Sequence, residues 1–201
     1  IHQPLDLTSL NALESTVCKP GDVLWLESPA NPTLEVLPMR ALASFARQHG
    51  LISIADNTLC TPIGCNPLKL GVDIVVHSAT KYMGGHGDVL AGAICTSELL
   101  MEQIEPWRIL QGGTLSADAA WLVHRGLSTL AMRFARHCQN AKDVASFLST
   151  HPAVTVLNFP VADIDAAVDA LAAAGVAFGA AVISVSASSV MMRSNTPSLL
   201  Q

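Results

Sequence analysis

The amino-acid sequence predicts an α/β fold built on a parallel or mostly parallel sheet. Short apolar runs alternate with segments whose apolar residues recur at helical spacing, which is typical of strand–helix–strand units. The strand-like runs are apolar on both faces, as expected of strands that helices cover from both sides. Only 13% of the 201 residues are charged and 50% are hydrophobic, so much surface should be hidden in the sheet or against another subunit.

The elements can be assigned in order along the chain. Strands are predicted at residues 22–26, 51–55, 72–76 and 89–95, and helices at 37–48, from about residue 97, and along 116–149 with a break near Gly126. Turn-forming residues 28–32 stop the first strand, and Gly50 ends the first helix.

A domain boundary is predicted near residue 150. Residues 1–150 would form the sheet domain, including the long helical stretch that links it to the C-terminal residues. Residues 151–201 would be the beginning of a C-terminal domain, aberrant or truncated, opening with a short strand at 154–157. Residues 170–192 carry no charge and are long enough to cross a membrane, but their Ala, Gly and Ser content favours a helix followed by a strand outside any membrane.

Composition excludes several classes of partner. With 11 Lys and Arg against 16 Asp and Glu, the net charge of −5 argues against a nucleic-acid partner. The five cysteines have no CxxC spacing and the histidines no HExxH spacing, so we expect reduced thiols and no metal. No basic-then-apolar leader is recognised at Ile1, and we therefore expect a cytoplasmic location and no membrane partner.

Polar side chains follow three of the predicted strands. They lie in Glu27–Asn31, Asp56–Thr58 and Ser78–Lys81. In an open α/β sheet, ligands bind at the carboxyl ends of the strands. The three segments are therefore the candidates for a binding site, and the third contains a lysine.

Lys81 is the most informative of these residues. Because it closely follows an apolar strand, its amine should face a cleft, where partial desolvation favours attack on carbonyl groups. Ser78 and Thr80 offer hydroxyls to a phosphate, and Asp56 could pair with a protonated ring nitrogen. Together these are the parts of a pyridoxal-phosphate site. The residues alone leave a second interpretation open, in which Lys81 caps a strand and Asp56 starts a loop.

Several motifs resemble the Cys/Met-metabolism family of pyridoxal-phosphate enzymes. They are ESPANPT at 27–33, DNT at 56–58, VDIVVHSATKY at 72–82 with GGHGD at 84–88, GTLS at 113–116, RGLSTL at 125–130 and NA at 140–141. The resemblance covers roughly residues 15–157, with the motifs in the family's order. A lone SxTK would carry little weight, whereas this combination is specific.

The resemblance implies a fold and an activity. The fold would be the aspartate aminotransferase-like fold type I, with residues 1–150 forming part of the large domain that binds pyridoxal 5′-phosphate. The activity would be that of a transsulfuration lyase or transferase, namely β- or γ-elimination or γ-replacement. Its substrates would be small amino acids such as cystathionine, methionine or O-acylhomoserine. The family resemblance also implies a homo-oligomer, a dimer or tetramer.

The family's site roles transfer to matching positions. Lys81 would hold the cofactor covalently and later carry protons, and Asp56 would keep the pyridine nitrogen protonated. Ser78 and Thr80 would hold the phosphate.

Two further positions match site residues of the family, and two other residues do not. Asn31 would bond near the phenolic oxygen, although a plain turn role suits it nearly as well, and Thr58 would support the ring. Tyr82 is not the family's ring-stacking aromatic. Arg193 lacks the context of the arginine that binds the substrate carboxylate, so that role is not transferred.

Other functions fit the sequence less well. Ser78–Lys81 also fits the SxxK of penicillin-binding enzymes, but the SDN and KTG companions are missing. The segment 85–90 lacks the third glycine of a dinucleotide fingerprint, and there is no Walker A sequence. The remaining alternative is a non-catalytic remnant that binds the cofactor or pairs subunits without turnover.

Overall fold

The structure is a computed structural model that describes residues 2–149 and 189–192. The strands are β1 (His2–Leu5), β2 (Val23–Glu27), β3 (Ile52–Asp56), β4 (Ile74–Ser78), β5 (Gly92–Thr96) and β6 (Ser189–Met192). The helices are α1 (Asn11–Glu14), α2 (Met39–Gln48), α3 (Thr61–Gly64), α4 (Pro67–Leu70), α5 (Glu98–Leu110), α6 (Ala117–Leu127) and α7 (Leu130–Ser149).

The described strands form one sheet in the order β1-β6-β2-β3-β4-β5. The central pairs β2–β3 and β3–β4 are parallel, whereas β5 and β6 run antiparallel to their neighbours. β1 to β4 therefore point in one direction. The predicted α/β class is confirmed, with the parallel strands at the centre of the sheet.

The core lies on one face of the parallel strands. Along β2 and β3 the odd and even positions alternate between half-buried and buried, as expected of strands with one closely covered face. Leu24 and Leu26 of β2, Ala55 of β3, Val75 of β4 and Leu42 of α2 are buried together. Burial of α2 against this face explains why its apolar residues recur at helical spacing.

Local sequence signals account for the ends of several helices. The hydroxyls of Ser97 and Ser116 accept hydrogen bonds from Leu100 N at 3.4 Å and Ala119 N at 3.2 Å, which caps α5 and α6. Gly71 ends α4 in the left-handed conformation, with φ of 102°.

Element boundaries differ from the sequence predictions in a few places. The fourth predicted strand begins at Gly92 rather than at residue 89, because the preceding residues form a loop. The predicted break near Gly126 lies at residues 128–129. β1 and the short helices α1, α3 and α4 were not predicted, since four-residue elements carry little periodic signal.

The C-terminal quarter is described only in part. β6 lies within the segment 170–192 for which a helix followed by a strand was predicted, and it is inserted between β1 and β2. The predicted strand at 154–157 lies outside the described residues, and a domain boundary near residue 150 stays a prediction. No helix in the described ranges has both the length and the apolar character needed to cross a membrane.

α6 and α7 meet over the loop that follows β4. Gly126, near the end of α6, is buried directly on the carbonyl oxygens of Met83 and Gly84, and a Cβ there would collide with both. Leu130 packs with Ala79 and Met83 in a second, smaller core cluster. The two helices therefore contact the backbone of the loop after β4 directly, and there is no room for a side chain at Gly126.

Replacing Gly126 by alanine should destabilise the protein, although alanine in a helix normally adds up to about 1 kcal/mol of stability over glycine. The new methyl would meet backbone oxygens that cannot rotate away, and overpacking of this kind costs about 1–3 kcal/mol. Urea unfolding of Gly126→Ala measures the loss.

The matched control is Gly92→Ala, because the nearest atom to a Cβ there is the His77 carbonyl oxygen at 3.9 Å. Equal unfolding midpoints for wild type and Gly126→Ala would contradict the packing described.

Candidate active site

The three polar segments predicted from the sequence meet at one edge of the sheet. Glu27, Asp56 and Val76 are register partners on the adjacent parallel strands β2, β3 and β4, so these strands reach the edge together. Ser78 is the last residue of β4, and Lys81 follows in the next turn. The sheet therefore brings a carboxylate pair, a hydroxyl and an amine to the same edge.

A chain of two hydrogen bonds joins three of the predicted site residues. Thr58 N donates to Asp56 Oδ1 at 2.9 Å, and Ser78 N donates to Thr58 Oγ1 at 2.7 Å. Among the described residues, no hydrogen bond reaches the second oxygen of Asp56 or the hydroxyl of Ser78. Thr58 thus ties the end of β3 to the end of β4 and leaves both groups available to a ligand.

The Thr80 hydroxyl is engaged within the loop. It donates to Ala91 O at 3.2 Å and accepts from Ala91 N at 3.0 Å, while Thr80 N donates to the same carbonyl at 3.1 Å. These bonds join the Lys81 turn to the residue before β5. To donate to a phosphate, Thr80 would have to exchange its bond to Ala91.

The Lys81 turn is closed by backbone hydrogen bonds. Lys81 N donates to Ser78 O at 3.1 Å, and the Lys81 carbonyl accepts from Gly85 N at 2.7 Å. The Lys81 side chain is exposed, whereas the sequence predicted partial desolvation. Within the described residues the Lys81 amine forms no ion pair.

Asn31 lies at the same edge but touches the other site residues only through Glu27. Its backbone N–H donates to Glu27 Oε1 at 3.3 Å, and its side chain is exposed. Burial raises the pKa of Glu27, and the negative charge of Asp56 raises it further, while the bond from Asn31 opposes the rise. Neutralisation of Glu27 is therefore easier than for an ordinary glutamate.

The near-complete burial of three polar residues at or just past the strand ends was not predicted. Ser28, Asn57 and His77 are only 8%, 2% and 6% exposed. Asn57 Nδ2 donates to Thr61 O at 3.0 Å and to Cys65 O at 2.9 Å, fixing the turn after β3. The position of Asn57, directly after Asp56 in a strand-end motif, is the only signal that could have singled it out.

Burial also governs His77. Desolvation lowers its pKa, while the charge of Asp56 and a hydrogen bond to the backbone of Asn57 act in the opposite direction. The imidazole is thus biased towards the neutral form, beside the carboxylate that the sequence assigns to the cofactor.

The donor set fits pyridoxal phosphate. Lys81 supplies an amine without an ion-pair partner in the described chain, Asp56 has one oxygen oriented by Thr58 and a second without a hydrogen bond, and Ser78 offers a hydroxyl. These groups match the cofactor's carbonyl carbon, ring nitrogen and phosphate in turn. No group of three or more His, Cys, Asp or Glu side chains suited to a metal ion is found within residues 2–149 and 189–192.

Solved structures share this arrangement of elements. A cystathionine gamma-lyase from Lactobacillus plantarum, crystallised with L-serine, superposes with a TM-score of 0.70 at 40% sequence identity over 75% of this chain and 40% of that one. A cystathionine gamma synthase from Xanthomonas oryzae pv. oryzae, in complex with cystathionine, superposes with a TM-score of 0.70 at 35% sequence identity. The match covers 74% of this chain and 38% of that one. The fold is therefore that of a fold-type-I domain of pyridoxal-phosphate enzymes.

Sequence comparisons agree with the fold. The family model described as "Cys/Met metabolism PLP-dependent enzyme" matches residues 2–197. The chain therefore belongs to the Cys/Met metabolism family of PLP-dependent enzymes, and the resemblance seen in its motifs is confirmed.

Two curated relatives illustrate the family. An L-methionine gamma-lyase from Pseudomonas putida is 42% identical over 158 residues, which are 78% of this chain and 40% of the relative. A cystathionine beta-lyase from Coxiella burnetii is 39% identical over 158 residues, 78% of this chain and 41% of the relative. The chain thus spans about two fifths of the length of these relatives.

Acidification should destabilise the protein through His77. Because its folded pKa lies below the ordinary value of 6.5, the unfolded chain binds more protons near that pH. The stabilising effect is complete above pH 6.5 and is lost as the pH falls through the folded pKa, by at most about 1.4 kcal/mol per pH unit. Urea unfolding between about pH 7.5 and about pH 5.5 measures this slope.

In His77→Gln the pH dependence should be weaker than in wild type, whatever the stability of the variant at neutral pH. His124→Gln is the control, since His124 is exposed, and should retain the wild-type slope. A slope unchanged by His77→Gln would show that other groups cause the acid sensitivity.

Proposed function

We propose that the protein uses pyridoxal 5′-phosphate at Lys81 to eliminate or replace sulfur or oxygen substituents of small amino acids. The observation that carries this proposal is the hydrogen-bonded set Asp56–Thr58–Ser78 at the strand ends next to Lys81. The names of the relatives, methionine gamma-lyase and cystathionine beta-lyase, support carbon–sulfur bond cleavage. The cystathionine bound by one structural neighbour supports an amino-acid substrate of this kind.

Each residue has a distinct role in this proposal. When bound, the cofactor supplies an electrophilic carbon and a ring that accepts electrons. Lys81 Nζ would hold the cofactor and would move the proton at the substrate's Cα. The oxygen of Asp56 without a hydrogen bond in the described chain would hold a proton at the ring nitrogen, and the Ser78 hydroxyl would donate to the phosphate.

The hydrogen bonds around Asp56 support its role. Thr58 N fixes one carboxylate oxygen, so the other is held in one orientation before the ligand arrives. Burial lowers the pKa of His77, so a charged imidazole competes less with a protonated ring nitrogen for the Asp56 carboxylate.

We also propose a cytoplasmic homo-oligomer, a dimer or tetramer. No disulfide joins the five cysteines, all of which lie in the described ranges, as suits a reducing compartment. Large apolar side chains are exposed on α5 and α6, among them Trp107, Leu110 and Trp121. Apolar surface of this extent is typical of a face that another subunit or further chain covers.

Purified protein mixed with pyridoxal phosphate should develop a visible absorbance band and, after borohydride reduction, carry the cofactor on Lys81. Lys81→Ala should lose both the band and the label, because no other lysine amine of the described chain lies at the strand ends. Peptide mass mapping locates the label among the four lysines.

Lys69→Ala is the matched control, since Lys69 is exposed on α4, and it should keep the wild-type band. Scattered labelling of Lys19, Lys69 and Lys142 with no band would refute the cofactor site. A specific band without turnover of cystathionine, methionine or O-acylhomoserine would instead favour the non-catalytic alternative.

Light scattering of the purified chain should return a mass of two or four times 21.1 kDa. The physical reason is the exposed apolar surface of α5 and α6, which is costly to leave in water. The double variant Trp107→Glu/Trp121→Glu should lower that mass, whereas Gln139→Glu, at an exposed position of α7, should not. A monomer at all concentrations would contradict the proposed assembly.

A further inference from the structure

The segment that carries Lys81 is held from outside by the junction of α6 and α7. We call residues 81–88 the lysine loop. It contains three glycines, Gly84, Gly85 and Gly87, and the last two have positive φ of 75° and 70°. Glycine adopts this conformation without strain but constrains the chain weakly, so the loop depends on its contacts for a fixed position.

Backbone hydrogen bonds join the glycines of the lysine loop to Lys81 and to Ala79, just before the loop. Gly85 N donates to the Lys81 carbonyl at 2.7 Å, and Gly84 N donates to Ala79 O at 2.8 Å. Any displacement of Gly85 is therefore transmitted to the backbone of Lys81 through a single hydrogen bond.

Arg133 of α7 lies against that same glycine. Its guanidinium occupies the space where a Cβ of Gly85 would lie. Nε donates to Thr129 Oγ1 at 2.9 Å and Nη2 donates to Gly126 O at 2.8 Å. The planar guanidinium is thus fixed to the helix junction by two bonds, and its remaining face bears on the lysine loop.

Two further sets of contacts hold the lysine loop against the same two helices. The Tyr82 ring meets Phe134 and His137 of α7 edge-on, each at a centroid distance of 5.5 Å. Arg125 of α6 pairs with Asp88 at 2.6 Å, although both side chains are partly exposed, which limits the strength of this pair. The three atoms nearest to a Cβ at Gly85 all belong to the Arg133 guanidinium.

We propose that Arg133 is a positioning residue for Lys81. Through Gly85 and the Lys81 carbonyl, it holds the Lys81 turn in place after the end of β4. The inference deepens the proposed function and rests on it for the consequence at Lys81, while the effect on the loop itself can be measured without the cofactor.

Hydrogen–deuterium exchange of the full chain without cofactor is the first test. In Arg133→Met the amides of residues 82–88 should exchange several-fold faster, because the loop loses the guanidinium that packs on Gly85 and with it part of its local stability. Arg133→Lys should recover part of the protection, because an ammonium keeps the charge but lacks the guanidinium fork. Amides of β2 and β3 should exchange as in wild type, which shows that the fold persists.

The control is Arg136→Met, on the same helix and exposed, which should leave the loop unchanged. If Arg133→Met does not fold, Arg133→Lys alone decides the question, since unchanged exchange of 82–88 in that variant would overturn the proposal. Unchanged exchange in a folded Arg133→Met would overturn it equally.

The second readout is the rate at which pyridoxal phosphate labels Lys81 in borohydride trapping. Arg133→Lys should slow this rate several-fold at an unchanged urea midpoint, with labelling of Lys19, Lys69 and Lys142 unaffected. If wild type labels Lys81 and Arg133→Lys labels it at the same rate, the positioning role is wrong. Wild type could give no specific label on Lys81 while substitutions of Arg133 still change the exchange of residues 82–88. The proposed function would then be wrong, but the claim that Arg133 fixes the loop would be supported.

Discussion

The neighbouring parallel strands β2, β3 and β4 are held in register by apolar side chains on the face opposite the site. Leu26, Ala55 and Val75 are aligned across the three strands and are buried in the main core. The same register places Glu27 beside Asp56, one position further along. A slip of one residue would turn every side chain of a strand to the other face. Core packing therefore decides which polar groups reach the edge where Lys81 lies.

Beyond these strand ends, the positions of the loops depend on buried polar side chains and no longer on the pairing of strands. Ser28, Asn57 and His77 are removed from water, and Asn57 satisfies its amide on the carbonyls of the following turn. Buried polar groups of this kind are costly unless they are paired, so each bond fixes the loop that contributes it. The same burial raises the pKa of Glu27 and lowers the pKa of His77. One environment thus both fixes the turns and shifts the pKa values of the two titratable groups beside Asp56.

Local sequence patterns were sufficient to predict the strands and their polar ends. The strands ending at Glu27, Asp56 and Ser78 were placed within about two residues, because buried strands and their polar ends have a strong signature. The direction of β5 was not predictable, since Gly92–Thr96 would look the same in a parallel or an antiparallel strand. The bond from Ser78 to Thr58 also escaped prediction, because it joins residues of two different strand ends.

The chemistry and its positioning come from different parts of the chain. The amine, the carboxylate and the hydroxyl belong to strand ends, where short motifs reveal them. The position of the loop that carries the amine also depends on α6 and α7, which contact the lysine loop through the backbone of Gly126 and the guanidinium of Arg133. Gly126 lies within the RGLSTL motif, but neither contact follows from the sequence, because glycine and arginine occur in many surroundings. The close approach of backbone to backbone at Gly126 leaves no side chain that could yield, so the junction of the two helices tolerates no added methyl group at this point.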